Sequence, residues 1–265
     1  MQVVTQYPPN TFAWIDLATP DPAAAKAFYT ALFGWDAIDT PLPGGGPYTM
    51  LQQDGKDVAA LSGHQEGQEG QPAFWSSYIS VEDVDAMTEK AAAAAASVVA
   101  PPFDVMEVGR MSVIQDPGGA FVSLWEPRTH IGAQLVNIPN TLSWNELATH
   151  DADRAATFYT ELFGWVAQPV ENDPSPTPYV TFMNNGRAAA GMMAMTDEWG
   201  DMPAHWAIYI AVEDPAAIAA RAAELGGTVI TPPFGAEGIG TIAVLQDPQG
   251  AFFNIVRLEN PDPMP

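Results

Sequence analysis

Phe12–Trp35 reads FAWIDLATPDPAAAKAFYTALFGW, and Leu142–Trp165 reads LSWNELATHDADRAATFYTELFGW. The match returns further on, where Val113–Leu124 reads VIQDPGGAFVSL and Val244–Ile255 reads VLQDPQGAFFNI. The offset is 130 residues at the front (12 to 142) and 131 at the back (113 to 244), so one residue is inserted near the first Gly/Pro-rich turn. One domain is written twice. Within the first stretch, residues 12–18 alternate, with Ile15 and Leu17 on one face and Trp14 and Asp16 on the other, the pattern of a strand. Asp21-Pro22 then opens a helix as N-cap and first helical residue. Its apolar positions Ala24, Phe28 and Leu32 recur at helical spacing, and Gly34 ends it.

Working outward, strands are expected near 35–39, 48–53 and 57–62, with Gly44–Pro47 and Asp54-Gly55 as turns. A second cycle begins at 73–81, Asp83 caps an alanine-rich helix, and strands follow near 97–99, 110–115 and 120–125. The six alanines at 91–96 align with AAELGG of the other copy and read as the end of that helix. Each domain is thus β-α-β-β-β twice, an α+β fold. The expected boundaries are a first domain at 1–127, a linker at 128–141 and a second domain at 142–260. A chain of 265 residues supplies two domains of about 125 residues, each with a core. Duplicated domains tend to pack with approximate two-fold symmetry, and seams between domains often hold ligands. A monomer with an internal pseudo-two-fold axis and a homodimer both satisfy this pattern.

Composition narrows the partners. The net charge is −23, with nine Lys and Arg in all. Nucleic acid requires clustered basic side chains, and this sequence has none, so it is excluded as a partner. An anionic membrane surface is disfavoured for the same reason, and no apolar run approaches the length of a membrane span. There is no cysteine, hence no disulfide and no thiolate nucleophile or ligand. The N-terminus lacks the basic and apolar regions of a secretory signal, so a cytoplasmic location is expected. The acidity reads either as a device for solubility or as disfavour towards anionic substrates, whose local free energy a negative field raises.

Several motifs in order carry a resemblance. They are the Asp-opened helix with Phe28-Tyr29 or Phe158-Tyr159, the Phe-Gly-Trp after it, the V-E-D start at Val81 and Val212, and the closing D-P-x-G-A strand. Together they resemble the vicinal oxygen chelate superfamily of glyoxalases, bleomycin-resistance proteins and extradiol dioxygenases. The resemblance implies tandem paired β-α-β-β-β modules whose curved sheets form open cups. It also implies where a metal would be held. The first ligand, a His seven residues before the first helix's Asp, falls on Trp14 and Trp144. The second, a His seven before the second helix's Asp, falls on Ser76 and Ala207. The last, a Glu seven after the Asp of D-P-x-G, falls on Ser123 and Asn254. Trp, Ser and Ala do not ligate a catalytic divalent cation, and Asn is a weak donor. No metal and no other cofactor is therefore expected.

Strand parity selects what faces the cups instead. In the first domain these are Trp14 and Asp16, then Phe74, Ser76 and Tyr78, then Phe121, Ser123 and Trp125. In the second they are Trp144 and Glu146, then His205, Ala207 and Tyr209, then Phe252, Asn254 and Val256. The outcome is an aromatic cup with one acid per domain and a His in the second alone. Such walls suit a small aromatic or hydrophobic molecule. Trp14 and Trp144 are open to two readings, as ligand walls or as plugs where a metal would sit. Asp16 and Glu146 are general bases or groups bonded to neighbouring hydroxyls. Phe28-Tyr29 and Phe158-Tyr159 read as packing, and Arg110 as a salt bridge or an anion contact.

Two functions follow. In the first, the protein holds a small molecule without metal, as a binding module. In the second, it is a metal-independent enzyme in which Glu146 or Asp16 is the base and Tyr209 or His205 the acid. The binding module ranks first, with the more polar cup expected in the second domain, formed by Glu146, His205, Tyr209 and Asn254.

Overall fold

A computed structural model of the chain describes residues 3–42, 46–68, 70–171, 177–236 and 238–260. The first repeat runs β1 (Thr11–Thr19), α1 (Pro22–Phe33), β2 (Asp36–Pro41), β3 (Pro47–Gln53) and β4 (Lys56–Gly63). It continues β5 (Phe74–Ser80), α2 (Val84–Ala93), β6 (Ser97–Val105), β7 (Gly109–Gln115) and β8 (Phe121–Pro127). The second repeat runs β9 (Thr141–Thr149), α3 (Ala152–Phe163), β10 (Val166–Pro169), β11 (Val180–Asn184) and β12 (Arg187–Ala194). It ends with β13 (His205–Ala211), α4 (Pro215–Glu224), β14 (Thr228–Ala236), β15 (Gly240–Gln246) and β16 (Phe252–Leu258). The β-α-β-β-β unit therefore occurs four times, as the repeat reading expects. Part of the turn expected at Gly44–Pro47 lies outside the described residues.

The local signals act as read. Asp21 accepts a hydrogen bond from the Ala24 N–H at 3.0 Å and Pro22 starts α1. Gly34 ends it with φ 72°, a left-handed conformation that favours glycine. Asp151 and Gly164 do the same for α3. The alanine run stops being helical at Ala93, and Ala95 turns the chain with φ 68° where the second repeat has Gly226. The strand after it, β6, is longer than expected because it pairs with β7 over its whole length.

Each repeat forms one eight-stranded mixed sheet, in the order β2-β3-β4-β1-β5-β8-β7-β6 and β10-β11-β12-β9-β13-β16-β15-β14. The central joint is antiparallel, β1 with β5 and β9 with β13, with parallel neighbours β4 and β8 or β12 and β16 on either side. One face of each sheet carries the helices. Those faces meet, and each hydrophobic core is built from both repeats. In one core Ile15, Leu17, Phe28 and Leu32 pack with Ile208, Ala219, Leu245 and Phe253. In the other Ile79, Val84, Ile114 and Leu124 pack with Phe158, Leu162, Phe182 and Trp206. No helix among the described residues is long and apolar enough to cross a membrane.

Tyr29 and Tyr159 do more than pack, which corrects the reading from sequence. Tyr29 donates its hydroxyl to Asp247 at 3.0 Å, across the seam, and accepts from Trp75 Nε1 at 3.0 Å. Tyr159 donates to Asp116 at 2.8 Å and accepts from Trp206 Nε1 at 2.9 Å. The other oxygen of each Asp accepts two backbone N–H groups of its own D-P-x-G turn. The repeated D-P-x-G thus presents a buried acceptor to the opposite domain. Near the ends of the seam, Trp35 donates to the Asn140 carbonyl and Trp165 to the Asn10 carbonyl. The middle of the seam is therefore filled with core.

Because each core needs both repeats, residues 1–140 alone should not give a folded monomer. We expect insoluble or self-associated material by size-exclusion chromatography, and rescue on co-expression with 141–265. A cooperative melt of a monomeric half would contradict the shared core. Tyr29→Phe should destabilise the whole chain by about 1.5–3 kcal/mol in urea unfolding, the scale for a buried bond to a carboxylate. Tyr29→Phe and Tyr159→Phe, in separate cores, should add.

Candidate functional site

Each sheet's other face forms a cup, and the cups hold the same constellation. In the first, the Trp14 indole donates to the Tyr48 hydroxyl at 3.2 Å. Tyr48 and Tyr78 donate to one oxygen of Asp16 at 3.3 and 2.8 Å. In the second, Trp144 donates to Tyr179 at 3.0 Å. Tyr179 and Tyr209 then donate to the two oxygens of Glu146, each at 2.7 Å. Trp14 and Asp16 lie on the face of β1 opposite Ile15 and Leu17, which are fully buried beneath the helices.

The register explains why one domain uses Asp and the other Glu. Asp16 stands opposite Ser76, whereas Glu146 stands opposite Ala207. The longer acid occupies the room left by the smaller neighbour. On the other side, Asp16 pairs with Ala60 and Glu146 with Gly191. A Cβ at 191 would run into the Tyr179 hydroxyl and lie 2.8 Å from Trp144 Nε1. Gly191 leaves room for Tyr179 to reach its acid at 2.7 Å, whereas the first domain has Ala60 at that position and Tyr48 bonds at 3.3 Å.

Both carboxyls are pushed upward, chiefly by burial. Asp16 rises to about 6, with the hydroxyls of Tyr78, Tyr48 and Ser76 opposing the rise. Glu146 rises too, opposed by Tyr179 and Tyr209. Burial first, and the adjacent acid second, hold Tyr48, Tyr78 and Tyr209 well above the usual phenol range. These phenols remain protonated and act as donors. No Lys, Arg or His among the described residues bonds to either carboxyl.

The cups differ in what covers them. Over the first, Trp125 lies on the backbone of Gly109, where a Cβ would clash with its indole. Trp125 Nε1 donates to the His130 carbonyl at 2.9 Å. The His130 ring meets Trp14 edge-on at 4.6 Å and Trp125 at 5.9 Å. Val105, Val108 and Met111 pack against the cluster that contains Trp14 and Trp125. Trp14 is left 3% exposed. In the second cup the counterpart of Trp125 is Val256, and Trp144 is half-buried rather than enclosed.

Several expected residues gather and others do not. Ser123 and Asn254 are buried beside Tyr78 and Tyr209, in register on the neighbouring strand. Phe121 and Phe252 are 54% and 47% exposed, so they stand at the open margin and do not enclose a ligand. His205 bonds through Nδ1 to the Pro203 carbonyl at 2.9 Å, not to Glu146. The first cup also contains a histidine, His130 from the linker, which corrects the expectation of one in the second domain alone. Tyr48 and Tyr179 were missed, although Pro47-Tyr48 and Pro178-Tyr179 recur at the repeat offset. Phe103 and Phe234, from the repeated Pro-Pro-Phe, pair with Met111 and Ile242 and are likewise largely exposed. Arg110 pairs with Asp85 and Asp104, a surface salt bridge.

Two shallow grooves lie at the seam, one of about 510 Å³ and its repeat counterpart of about 200 Å³. In each groove one carboxyl, Asp214 or Asp83, is a helix cap, and the other, Glu213 or Glu82, is exposed. The one acidic trio close enough to hold a cation among the described residues is Asp83, Asp85 and Glu126. Each is engaged, Asp83 by Ala86 N–H, Asp85 by Arg110 and Glu126 by Val84 N–H.

Residues 11–124 match the family model of the glyoxalase/bleomycin resistance protein/dioxygenase superfamily, and residues 145–256 match that of a glyoxalase-like domain. A putative glyoxylase, CFP32, of Mycobacterium tuberculosis is 43% identical over 255 residues, covering 96% of this chain and 97% of that protein. The anthracycline biosynthesis protein DnrV of Streptomyces peucetius is 36% identical over 267 residues, covering 96% of each. A Mn(II)-bound glyoxalase from Novosphingobium aromaticivorans superposes with a TM-score of 0.68 at 14% identity, over 97% of this chain and 84% of that one. The 2,3-dioxygenase LapB of Pseudomonas sp. KL28 superposes at 0.67 and 12% identity, over 96% and 94%. A metal such as the Mn(II) of that glyoxalase does not fit the ligand positions of this chain. Trp14 spends its N–H on Tyr48, Trp144 spends its N–H on Tyr179, and Ser76, Ala207, Ser123 and Asn254 supply no carboxylate or imidazole. By sequence and by fold, this chain belongs to the glyoxalase/bleomycin resistance protein/dioxygenase superfamily, as a tandem two-domain member.

Proposed function

We propose that the protein holds a small, flat, largely apolar molecule in its second cup, without a metal. The observation that carries this reading is the unequal covering of two otherwise matching cups. Trp14 is shut beneath His130 and Trp125, while Trp144 stays partly exposed beside Tyr179 and Tyr209. Aromatic walls favour flat ligands through stacking and burial of area. The name of DnrV, an anthracycline biosynthesis protein, supports a polycyclic aromatic as the class to test first.

The test is fluorescence titration with dihydroxyanthraquinone. One equivalent should bind per chain, and Trp144→Ala should weaken binding about tenfold or more. Trp14→Ala should change it little. Equal losses from both, or two equivalents per chain, would remove the assignment to the second cup. Elemental analysis of the same sample should show far less than one transition metal per chain.

A second reading is favoured by the raised carboxyls, since an acid with an elevated pKa in a cup is a candidate general base. Here Glu146 takes a proton from the ligand, Tyr209 gives one back to it, and the proton on Glu146 passes to Tyr209 along their 2.7 Å bond, so both side chains end as they began. If the cup is catalytic, Glu146→Gln should lower turnover about a hundredfold while affinity stays within severalfold.

The carboxyl of the closed cup gives a pH-dependent signature. Its folded value of about 6 lies above its ordinary value of 3.8, so the native state binds the proton more tightly. The resulting stability is complete below about pH 4 and is lost as pH rises through about 6. Asp16→Asn should therefore be close to neutral near pH 4. Near pH 8 it should stabilise by up to about 3 kcal/mol, from two units at about 1.4 kcal/mol each. Urea unfolding at both pH values checks this. A variant equally destabilised at both would show that the ionised carboxylate is welcome in the cup.

A further inference from the structure

We propose that the ligand of the second cup carries a protonated amine, and that the Glu146 carboxylate is its counterion. The inference rests on the second cup being the binding cup and adds the charge of what binds there. Glu146 is 8% exposed and both its oxygens are met by phenols. A carboxylate offers about four acceptor positions, so two phenols leave capacity for another donor. The neighbours give no charge back. The basic residues in described ion pairs are engaged elsewhere, Lys26 with Asp39, Arg110 and Arg128 with Asp104, and Arg221 with Glu224. A buried carboxyl of this kind either keeps its proton or meets a cation from outside.

The donor census decides which ligand chemistry gains most. The carboxyl already has two phenol donors, one of them held by the Trp144 indole. A further neutral hydroxyl adds a weak bond to a group already served. A ligand carbonyl competes with the carboxyl for the same phenol protons. An ammonium does neither, because it supplies the missing charge and uses the free lone pairs. The rings of Trp144, Tyr179 and Tyr209 surround the same acid, and aromatic rings favour cations. The overall charge of −23 attracts a cation to the mouth and repels an anion.

The experiment compares two probes with one ring system, pyrenylmethylamine and pyrenylmethanol, by fluorescence titration at about pH 8, where the amine is still largely protonated. The wild type should bind the ammonium probe at least about tenfold more tightly than the alcohol. In Glu146→Gln the ratio should fall to about threefold or less with the alcohol's affinity retained. Glu146→Asp, which keeps the charge, should keep part of the preference, and Asp16→Asn should keep all of it. The wild-type preference should also shrink as pH falls and Glu146 takes up its proton. A wild-type ratio near one overturns the proposal, and so does a ratio that survives in Glu146→Gln, which would assign the preference to the protein's overall field. If neither probe binds, or if both survive Trp144→Ala unchanged, the assignment of binding to this cup fails as well. Circular dichroism of each variant confirms that a lost ratio is not a lost fold.

Discussion

A tyrosine hydroxyl in each core, donated to a carboxylate of the opposite repeat, is the interaction around which the rest of the molecule is arranged. Tyr29 reaches Asp247 and Tyr159 reaches Asp116, and each tyrosine also receives a tryptophan N–H from its own repeat. A buried carboxylate is costly unless satisfied. Asp116 and Asp247 are satisfied by the turn they close together with the tyrosine of the other repeat. Neither half can meet that requirement alone. The helix-bearing faces of the two sheets are therefore committed to each other, and the opposite faces become the two cups.

That commitment accounts for what could be read from the sequence and what could not. The elements were legible because Asp21, Pro22 and Gly34 act over a few residues, and the repeat states each of them twice. Strand parity placed Trp14, Asp16, Trp144 and Glu146 because alternation is a local geometric fact. The partners of the acids come from strands whose register is set by tertiary pairing. Tyr48 and Tyr179 therefore escaped, although the repeated Pro-Tyr marked them. His130 was invisible for a stronger reason. It lies in the linker, has no counterpart in the repeat, and reaches Trp14 through the path of a loop. His205 shows the converse, since parity brings its backbone to the cup but a nearby carbonyl takes its ring. The role of Tyr29 needed the knowledge that its partner lies 218 residues away.

The cups also show how a strand position that holds Trp in place of a metal ligand can belong to a polar centre. A ligand-bearing strand position that holds Trp cannot ligate, but its N–H still needs an acceptor when buried. In both cups that acceptor is a tyrosine, and the tyrosine's proton needs an acceptor in turn, which is the acid two residues along the Trp strand. Tryptophan, tyrosine and acid thus form one chain of donors ending on a carboxyl. The same order of donors recurs in both halves of this sequence.

What separates the halves is then the surroundings of the same network. In the first, a serine stands opposite a short acid, Ala60 takes the place of Gly191, and Trp125 and His130 cover Trp14, while Asp16 itself stays partly exposed. In the second, an alanine opposite a longer acid and Gly191 beside Tyr179 tighten the bonds to 2.7 Å while the wall over Trp144 is thinner. Tightening the donors favours the ionised acid, and exposing the ring gives a ligand something to cover. On the reading proposed above, both changes raise the gain available when a ligand arrives, and the charge of the second acid is the one that ligand balances.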